Sequence, residues 1–295
     1  MQPDINSLRL CLGTVQLGTK YGVANAIGRQ PTEHESFDVL HAAIGAGIKY
    51  FDTASVYGNA EEVLGDFGIG EHGVNVISKL KPDLPDDENS VVDEIKKSCE
   101  RMRVKSLYGY MLHRASDFYH DGIRRRLLKA REMGLVSHVG VSIYEPEDAL
   151  AVARDGEMDL IQIPYNVLDQ RLDETDFFEL AEKNKVQVFA RSAFLQGLLL
   201  MDVNKIPNNI IEARPFVEKF QHISKEYGFS PAEAAMLYSL NHSGIGHVVF
   251  GVDTETQLEE NIKIASRLIE FEECYKTLRG AFDDVPRKVI VPSLW

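Results

Sequence analysis

Short apolar, β-branched runs recur along the whole chain, and a stretch of helical periodicity follows most of them. The runs are LRLCLGTV (8–15), IKYFDTA (48–54), VNVISKL (74–80), SLYGYMLH (106–113), SHVGVSI (137–143), DLIQIPY (159–165), VQVFARS (186–192) and GHVVFGV (246–252). Their apolar positions are near-continuous, as expected of strands covered on both faces. Segments such as EHESFDVLHAAIGAG (33–47), SVVDEIKKSCERM (90–102) and DETDFFELAEKN (173–184) carry the amphipathic helical pattern. Eight strand–helix units in series predict an α/β fold, a (β/α)8 TIM barrel rather than an open doubly wound sheet. No composition shift or Pro/Gly/Ser-rich linker divides the sequence, so a single barrel domain over 1–295 is expected. Two segments exceed the repeating unit, a long loop near 193–215 and a C-terminal extension near 266–295. Such additions commonly shape a ligand site.

Charge narrows the partners. The chain has 32 Lys and Arg against 45 Asp and Glu, a formal net charge of −13. That argues against wrapping a phosphate backbone, so no nucleic-acid partner is expected. Cys11, Cys99 and Cys274 have no metal-ligand spacing and fit a reducing compartment. The start MQPDINSLRL lacks the basic and apolar regions of a signal peptide, and no 18-residue apolar stretch occurs. The expectation is a cytoplasmic protein without a membrane partner. Its oligomeric state has no visible signature.

The ends of the predicted strands carry chemistry. Asp52 closes the second run, with Tyr57 just beyond it; Lys79 closes the third and His113 the fourth. In a barrel these ends open on one face, where active sites form. Any one of the four taken alone is more often a buried hydrogen-bonding residue than a catalyst. Four ionisable groups at three adjacent strand ends point to a site. A tyrosine titrates near 10, and a neighbouring ammonium favours its phenolate. Asp52 is expected to hold Lys79 charged, Lys79 to lower the Tyr57 pKa, and Tyr57 to act as a general acid. His113 is placed to share the substrate oxygen. The set suits delivery of a proton to an oxygen on which negative charge develops.

FDTASVYGNAEEVLG (51–65), VISKL (76–80) and YMLHR (110–114), with GLVSHVGVSIY (134–144), LIQIPYN (160–166) and VVFGVDTETQLEEN (248–261), together resemble the aldo-keto reductase superfamily. The LGTVQLG segment (12–18) is similar to that of a bacterial branch. The resemblance implies an oxidoreductase that transfers a hydride between a nicotinamide dinucleotide and a small aldehyde, ketone or sugar-like carbonyl. It implies Tyr57 as proton donor, supported by Asp52, Lys79 and His113. Ser142 and Gln162 correspond to residues that hold the nicotinamide carboxamide, although the usual Ser-Asn pair is Ser142-Ile143 here. Arg191 stands where many members carry an aromatic residue against the nicotinamide, and a planar guanidinium can also stack. A rim salt bridge is its other reading. Ser192, Phe194, Gln196 and Gly197 correspond to the pyrophosphate segment, and Gln257, Glu260 and Asn261 to the adenine side.

Cofactor choice turns on Gly251, Val252, Asp253 and Thr254. A helix N-terminus attracts phosphate, and Thr254-x-x-Gln257 also reads as a capping box needing no ligand. Relatives place cations or hydroxyls here for the 2′-phosphate. The family therefore implies NADP(H), while Asp253 leaves NAD(H) open. Lys205 and Lys263 are the candidate cations to compensate it.

Other signals are weaker. The GxGxxG at 68–73 follows a helix and precedes a strand, the reverse of a dinucleotide fingerprint. His113 and His120 lack further ligands, so no metal is expected. The tract IRRRLLKAR (123–131) reads as the solvated face of a helix. Lys79 could instead form a Schiff base as in an aldolase, or the scaffold could be a non-catalytic, cofactor-sensing subunit. Tyr21, Phe118 and Tyr119 are the candidates for an apolar substrate rim.

Overall fold

The computed structural model describes residues 9–22, 25, 27–85 and 87–295. Parallel strands β1 (Leu10–Gly13), β2 (Tyr50–Asp52), β3 (Asn75–Lys79), β4 (Leu107–Leu112), β5 (Val136–Ser142), β6 (Leu160–Pro164), β7 (Gln187–Arg191) and β8 (His247–Gly251) each pair with the next. β8 returns to β1, which closes the barrel. Each strand occupies a predicted run, trimmed where the ladder ends; β5 begins one residue early. Leu8, the start of the first run, lies outside the described residues.

The connecting helices are α1 (Glu33–Gly45), α2 (Ala60–Phe67), α3 (Ser90–Arg101), α4 (Asp121–Glu132), α5 (Pro146–Asp155) and α6 (Phe177–Lys183), then α7 (Arg214–Glu226), α8 (Pro231–Asn241) and α9 (Glu255–Ala265). Capping sets their starts. Thr32 accepts the Glu35 N–H while the Glu35 carboxylate takes the Thr32 N–H, a reciprocal box at α1. α6 starts four residues after the pattern predicts. The Asp173 carboxylate is turned inward to accept the Tyr165 hydroxyl and to face His242 at 3.3 Å, so 173–176 form turns instead.

Two apolar layers hold the barrel. The larger fills the space between strands and helices. The smaller plugs the lumen with Cys11, Ile77, Met111, Leu160, Phe189 and Val249. Side chains on a strand repeat their direction every second residue. Two residues beyond these plugs stand Gly13, Lys79, His113, Gln162, Arg191 and Gly251, with Asp52 level with Gly13 in the ladder. The lumen packing therefore sets the floor of a polar layer at the strands' C-terminal ends.

Both added segments reach that end. The stretch after β7 runs through tight turns at Leu195–Leu200, Val203–Lys205 and Asn208–Ala213 before α7. The chain after α9 forms α10 (Glu272–Leu278), then returns so that Arg287 pairs with Glu145 at the head of α5. Among the described residues no helix is long and apolar enough to cross a membrane.

Candidate active site

Asp52 and Lys79 meet in the layer above the lumen plug. Lys79 Nζ donates to both Asp52 carboxylate oxygens, at 2.6 and 2.7 Å, and to the Thr53 carbonyl at 2.9 Å. Gln162 Nε2, from β6, donates to Asp52 Oδ1 at 2.7 Å. Burial alone disfavours the ammonium, but Asp52 and Tyr57 outweigh it and hold Lys79 above its ordinary pKa. A lysine with its Nζ engaged three ways and fully buried offers no free amine to a carbonyl. The Schiff-base alternative thereby loses its nucleophile.

Tyr57 stands over this pair, with Lys79 Nζ 5.1 Å from its ring centroid. Burial raises its pKa; Lys79 and Arg191 pull it down and Asp52 pushes it up, and the net direction is upward. The expected lowering by Lys79 is thus corrected: the ammonium offsets only part of the desolvation. The phenol stays protonated, and the Lys79 ammonium lies beside its ring.

The backbone explains the Gly-Asn that follows Tyr57. Gly58 has φ +56, and a Cβ there would lie 2.0 Å from the Gly18 carbonyl oxygen. A Cβ on Gly18 would in turn lie 1.8 Å from the Tyr57 carbonyl oxygen. The turn holding Tyr57 is pressed against the segment after β1, and both contacts require glycine. The Tyr57 carbonyl then accepts the Ala60 N–H, so α2 begins at once.

His113 meets the Tyr57 ring edge to face, centroids 6.0 Å apart. Burial first, then Lys79, Arg191 and Arg114, push its pKa down to about 3. It is a neutral imidazole at physiological pH. Its Nδ1 is buried with no partner among the described residues.

A cleft of about 380 Å³ runs from Tyr57, Asp52 and His113, which with Lys79 form a tetrad, across the strand ends to α9. Ser142 and Gln162 line its tetrad end. Ser192, Phe194, Gln196 and Gly197 line the middle, and Gly251, Asp253, Gln257, Glu260 and Asn261 the far end. Ser192, Leu195, Gln196 and Gly197 all have positive φ, between 49° and 93°. Three of these are not glycine, a strained run of the kind found at ligand sites. Thr254 sits behind the wall as the α9 cap, accepting the Gln257 N–H. Gln257 completes the cap on the Asp253 N–H, one residue earlier than a standard box.

Tyr21 and Asn25, after β1, reach across the cleft. Gln196 Nε2 donates to the Tyr21 hydroxyl at 3.2 Å, and Asn25 Nδ2 to Asp253 Oδ1 at 2.8 Å. Tyr21 lines the cleft, whereas the rest of the expected rim is corrected. Phe118 is buried in the core under the Arg124 guanidinium. Tyr119 bonds Asp148 through its hydroxyl, and neither residue lines the cleft. Sequence reasoning missed Tyr144, whose ring lies 4.1 Å under the Arg191 guanidinium. It also missed Gln16, packed over Gly251. The GxGxxG turn closes α2 with Gly68 at φ +79 and does not line the cleft. No group of His, Cys, Asp and Glu among the described residues is arranged to hold a metal.

The aldo/keto reductase family pattern matches residues 9–277. The chain belongs to the aldo/keto reductase family. Its relatives are distant. It is 23% identical to an uncharacterized oxidoreductase of Bacillus subtilis, YqkF, covering 94% of this chain and 93% of that one. It is 26% identical to pyridoxal 4-dehydrogenase of Microbacterium luteolum, covering 92% and 93%. It is 24% identical to L-glyceraldehyde 3-phosphate reductase of Escherichia coli K12, covering 89% and 86%. Among solved structures, the holo form of aldo-keto reductase AKR11C1 from Bacillus halodurans shares the fold, with a TM-score of 0.71 at 18% identity over 90% of this chain and 91% of that one. The family membership and oxidoreductase relatives make this aldo/keto reductase an oxidoreductase acting on carbonyls.

Proposed function

We propose that this aldo/keto reductase reduces a small carbonyl compound with a nicotinamide dinucleotide, and that Tyr57 donates the proton. The observation that carries the reading is a buried Asp52–Lys79 pair behind a protonated tyrosine at one end of a long cleft. The residues fit such a cofactor. The cleft is elongated, it joins the tetrad to the α9 wall, and its middle is a strained backbone run. The bound dinucleotide supplies the hydride. The chain's groups do the rest. His113, neutral, presents an N–H to the carbonyl oxygen and orients it. As charge develops there, Tyr57 passes its hydroxyl proton to that oxygen, giving the alcohol. Lys79 stabilises the resulting phenolate, and Asp52, held by Gln162, keeps Lys79 charged and aimed. Solvent reprotonates Tyr57.

The far end of the cleft supports NAD(H) over NADP(H). Asp253 and Glu260 line it, and no Lys or Arg does so there among the described residues. Lys205 is exposed outside the cleft lining, and Lys263 lies 3.9 Å from Glu259. A 2′-phosphate would meet carboxylates there, whereas a ribose hydroxyl can donate to one. The relatives named for pyridoxal and glyceraldehyde 3-phosphate chemistry support a small polar carbonyl as substrate class. Titration of NADH and NADPH by nicotinamide fluorescence, followed by turnover of an aldehyde and ketone panel, tests the reading. Binding of neither cofactor would overturn it.

A further inference from the structure

The guanidinium of Arg191 stands apart from the other charges at the cleft. Arg191 is the only Lys or Arg that lines it among the described residues. Its neighbours balance one another. Arg171 takes Asp169 on one side, donating from Nε at 2.7 Å, and Glu145 on the other at 3.0 Å. Glu145 also pairs with Arg287. Lys79 is matched by Asp52. Arg191 makes no ion pair with a described carboxylate. It donates from Nη2 to the Ile143 carbonyl at 2.9 Å, approaches Ser192 Oγ at 3.4 Å, and places its Cζ 4.1 Å from the Tyr144 ring centroid. A backbone carbonyl and an aromatic face fix its position, and Asp169, engaged directly by Arg171, acts on it only from beyond ion-pair distance.

That charge lies at the reacting end. It acts on Tyr57, His113 and Tyr21 together. In the proposed reaction the hydride donor must sit against the carbonyl carbon, beside Tyr57, so the nicotinamide ring shares this end of the cleft with Arg191. The ring is neutral when reduced and carries a positive charge when oxidised. Two like charges a few ångströms apart repel strongly in a site with little water.

We infer that Arg191, held by Tyr144 and Ile143, selects the reduced over the oxidised state of the bound cofactor: it repels the pyridinium and leaves the dihydropyridine untouched. The inference rests on the proposed dinucleotide reading. Its consequence is that oxidised cofactor is expelled after each turnover, while reduced cofactor is retained ahead of the carbonyl. Arg191 thereby acts as a specificity-determining residue for redox state, separate from any role of its plane as a support.

Binding alone tests this, without turnover. Dissociation constants for NADH and NAD⁺ are measured by calorimetry on the wild type, Arg191→Met, Arg191→Gln and Arg191→Lys, with a thermal melt on each. The wild type is expected to bind the oxidised form about tenfold or more weakly than the reduced form. Arg191→Met and Arg191→Gln are expected to shrink that ratio by about tenfold, chiefly by tightening NAD⁺. Arg191→Lys keeps the charge and should keep the ratio. Two folded neutral variants guard against one that fails to fold. A ratio unchanged in the neutral variants, with both constants rising together, would mean that only the flat surface matters and would overturn the inference. So would a rise in KM confined to carboxylate-bearing aldehydes, such as succinic semialdehyde against butyraldehyde, with the cofactor ratio unmoved. Failure of the wild type to bind NADH, NAD⁺, NADPH or NADP⁺ would instead overturn the proposed function itself.

Discussion

Lys79 Nζ lies 2.6 Å from Asp52 Oδ1, and both side chains are all but excluded from solvent. A buried ion pair recovers its desolvation cost only while both partners are present, and removing one typically costs about 3–5 kcal/mol. Lys79→Met should therefore lower stability by about that amount as well as activity, because Asp52 is left buried without its cation. Lys79→Met combined with Asp52→Asn should recover much of the stability and none of the activity. Urea denaturation of the three proteins checks both. A Lys79→Met single variant as stable as the wild type would mean that the pair contributes nothing to folding.

Tyr57→Phe isolates the proton. The ring keeps its contacts with His113 and Lys79, and only the hydroxyl is lost. Loss of a positioned acid should slow carbonyl reduction by about 10²–10⁴-fold, with cofactor binding near that of the wild type. Single-turnover rates and fluorescence titration separate the two quantities. Rates within a few-fold of wild type would remove Tyr57 from the mechanism.

Gly58→Ala probes how the phenol is aimed. The new methyl would be driven into the Gly18 carbonyl at a residue with positive φ, so the turn must shift. A displacement of about 1 Å can cost about 10²-fold. The expected outcome is a fall in kcat of at least about tenfold in a protein that still melts cooperatively. The same kcat as wild type would show that the Gly18–Gly58 contact does not position Tyr57.

The strand ends were legible because near-continuous apolar runs show where each strand stops, and a closed barrel brings all those stops to one face. Asp52, Lys79 and His113 could be found that way without knowing a single contact. What the runs could not carry is anything depending on residues distant in sequence. Gln162 reaching Asp52, Tyr144 beneath Arg191, and Asn25 on Asp253 are relations between separate strand ends and loops that only the folded chain brings together. Phe118 and Tyr119 failed for a local reason. They close a single helical turn, and nothing in their order says which of two adjacent aromatics faces the core. The direction of the Tyr57 pKa failed because a sequence names the neighbouring ammonium but not the depth of burial.

Acid should loosen the protein through His113. Its folded pKa is pushed down to about 3 by burial and then by Lys79, Arg191 and Arg114, against about 6.5 when unfolded. Between those values the unfolded chain binds a proton that the folded chain refuses, so stability falls as pH drops below about 6.5 and is fully present above it. One such group contributes a slope of up to about 1.4 kcal/mol per pH unit. His247, pushed down to about 4 by burial and by Arg9, adds in the same direction. His113→Asn should lose less stability than the wild type between pH 7 and pH 5.5. Parallel urea midpoints in the two proteins would show that His113 is not buried neutral.

Asp253 sits at the end of the cleft where the two nicotinamide cofactors differ, and its Oδ1 accepts the Asn25 amide at 2.8 Å. Asp253→Asn keeps an oxygen for that bond and removes the charge. Charges within roughly 8 Å still act strongly on one another at physiological ionic strength, so a carboxylate here must weaken a 2′-phosphate more than a 2′-hydroxyl. The substitution should tighten NADPH relative to NADH, by a factor that can reach about ten, or about 1.4 kcal/mol. Asn25→Ala supplies the control: it removes the bond across the cleft and leaves the carboxylate, so it should speed release of both cofactors without moving their ratio. Titration of both cofactors against both variants reads the sign directly. An NADPH-to-NADH ratio that stays fixed or moves the other way in Asp253→Asn would place the adenosine ribose elsewhere in the cleft.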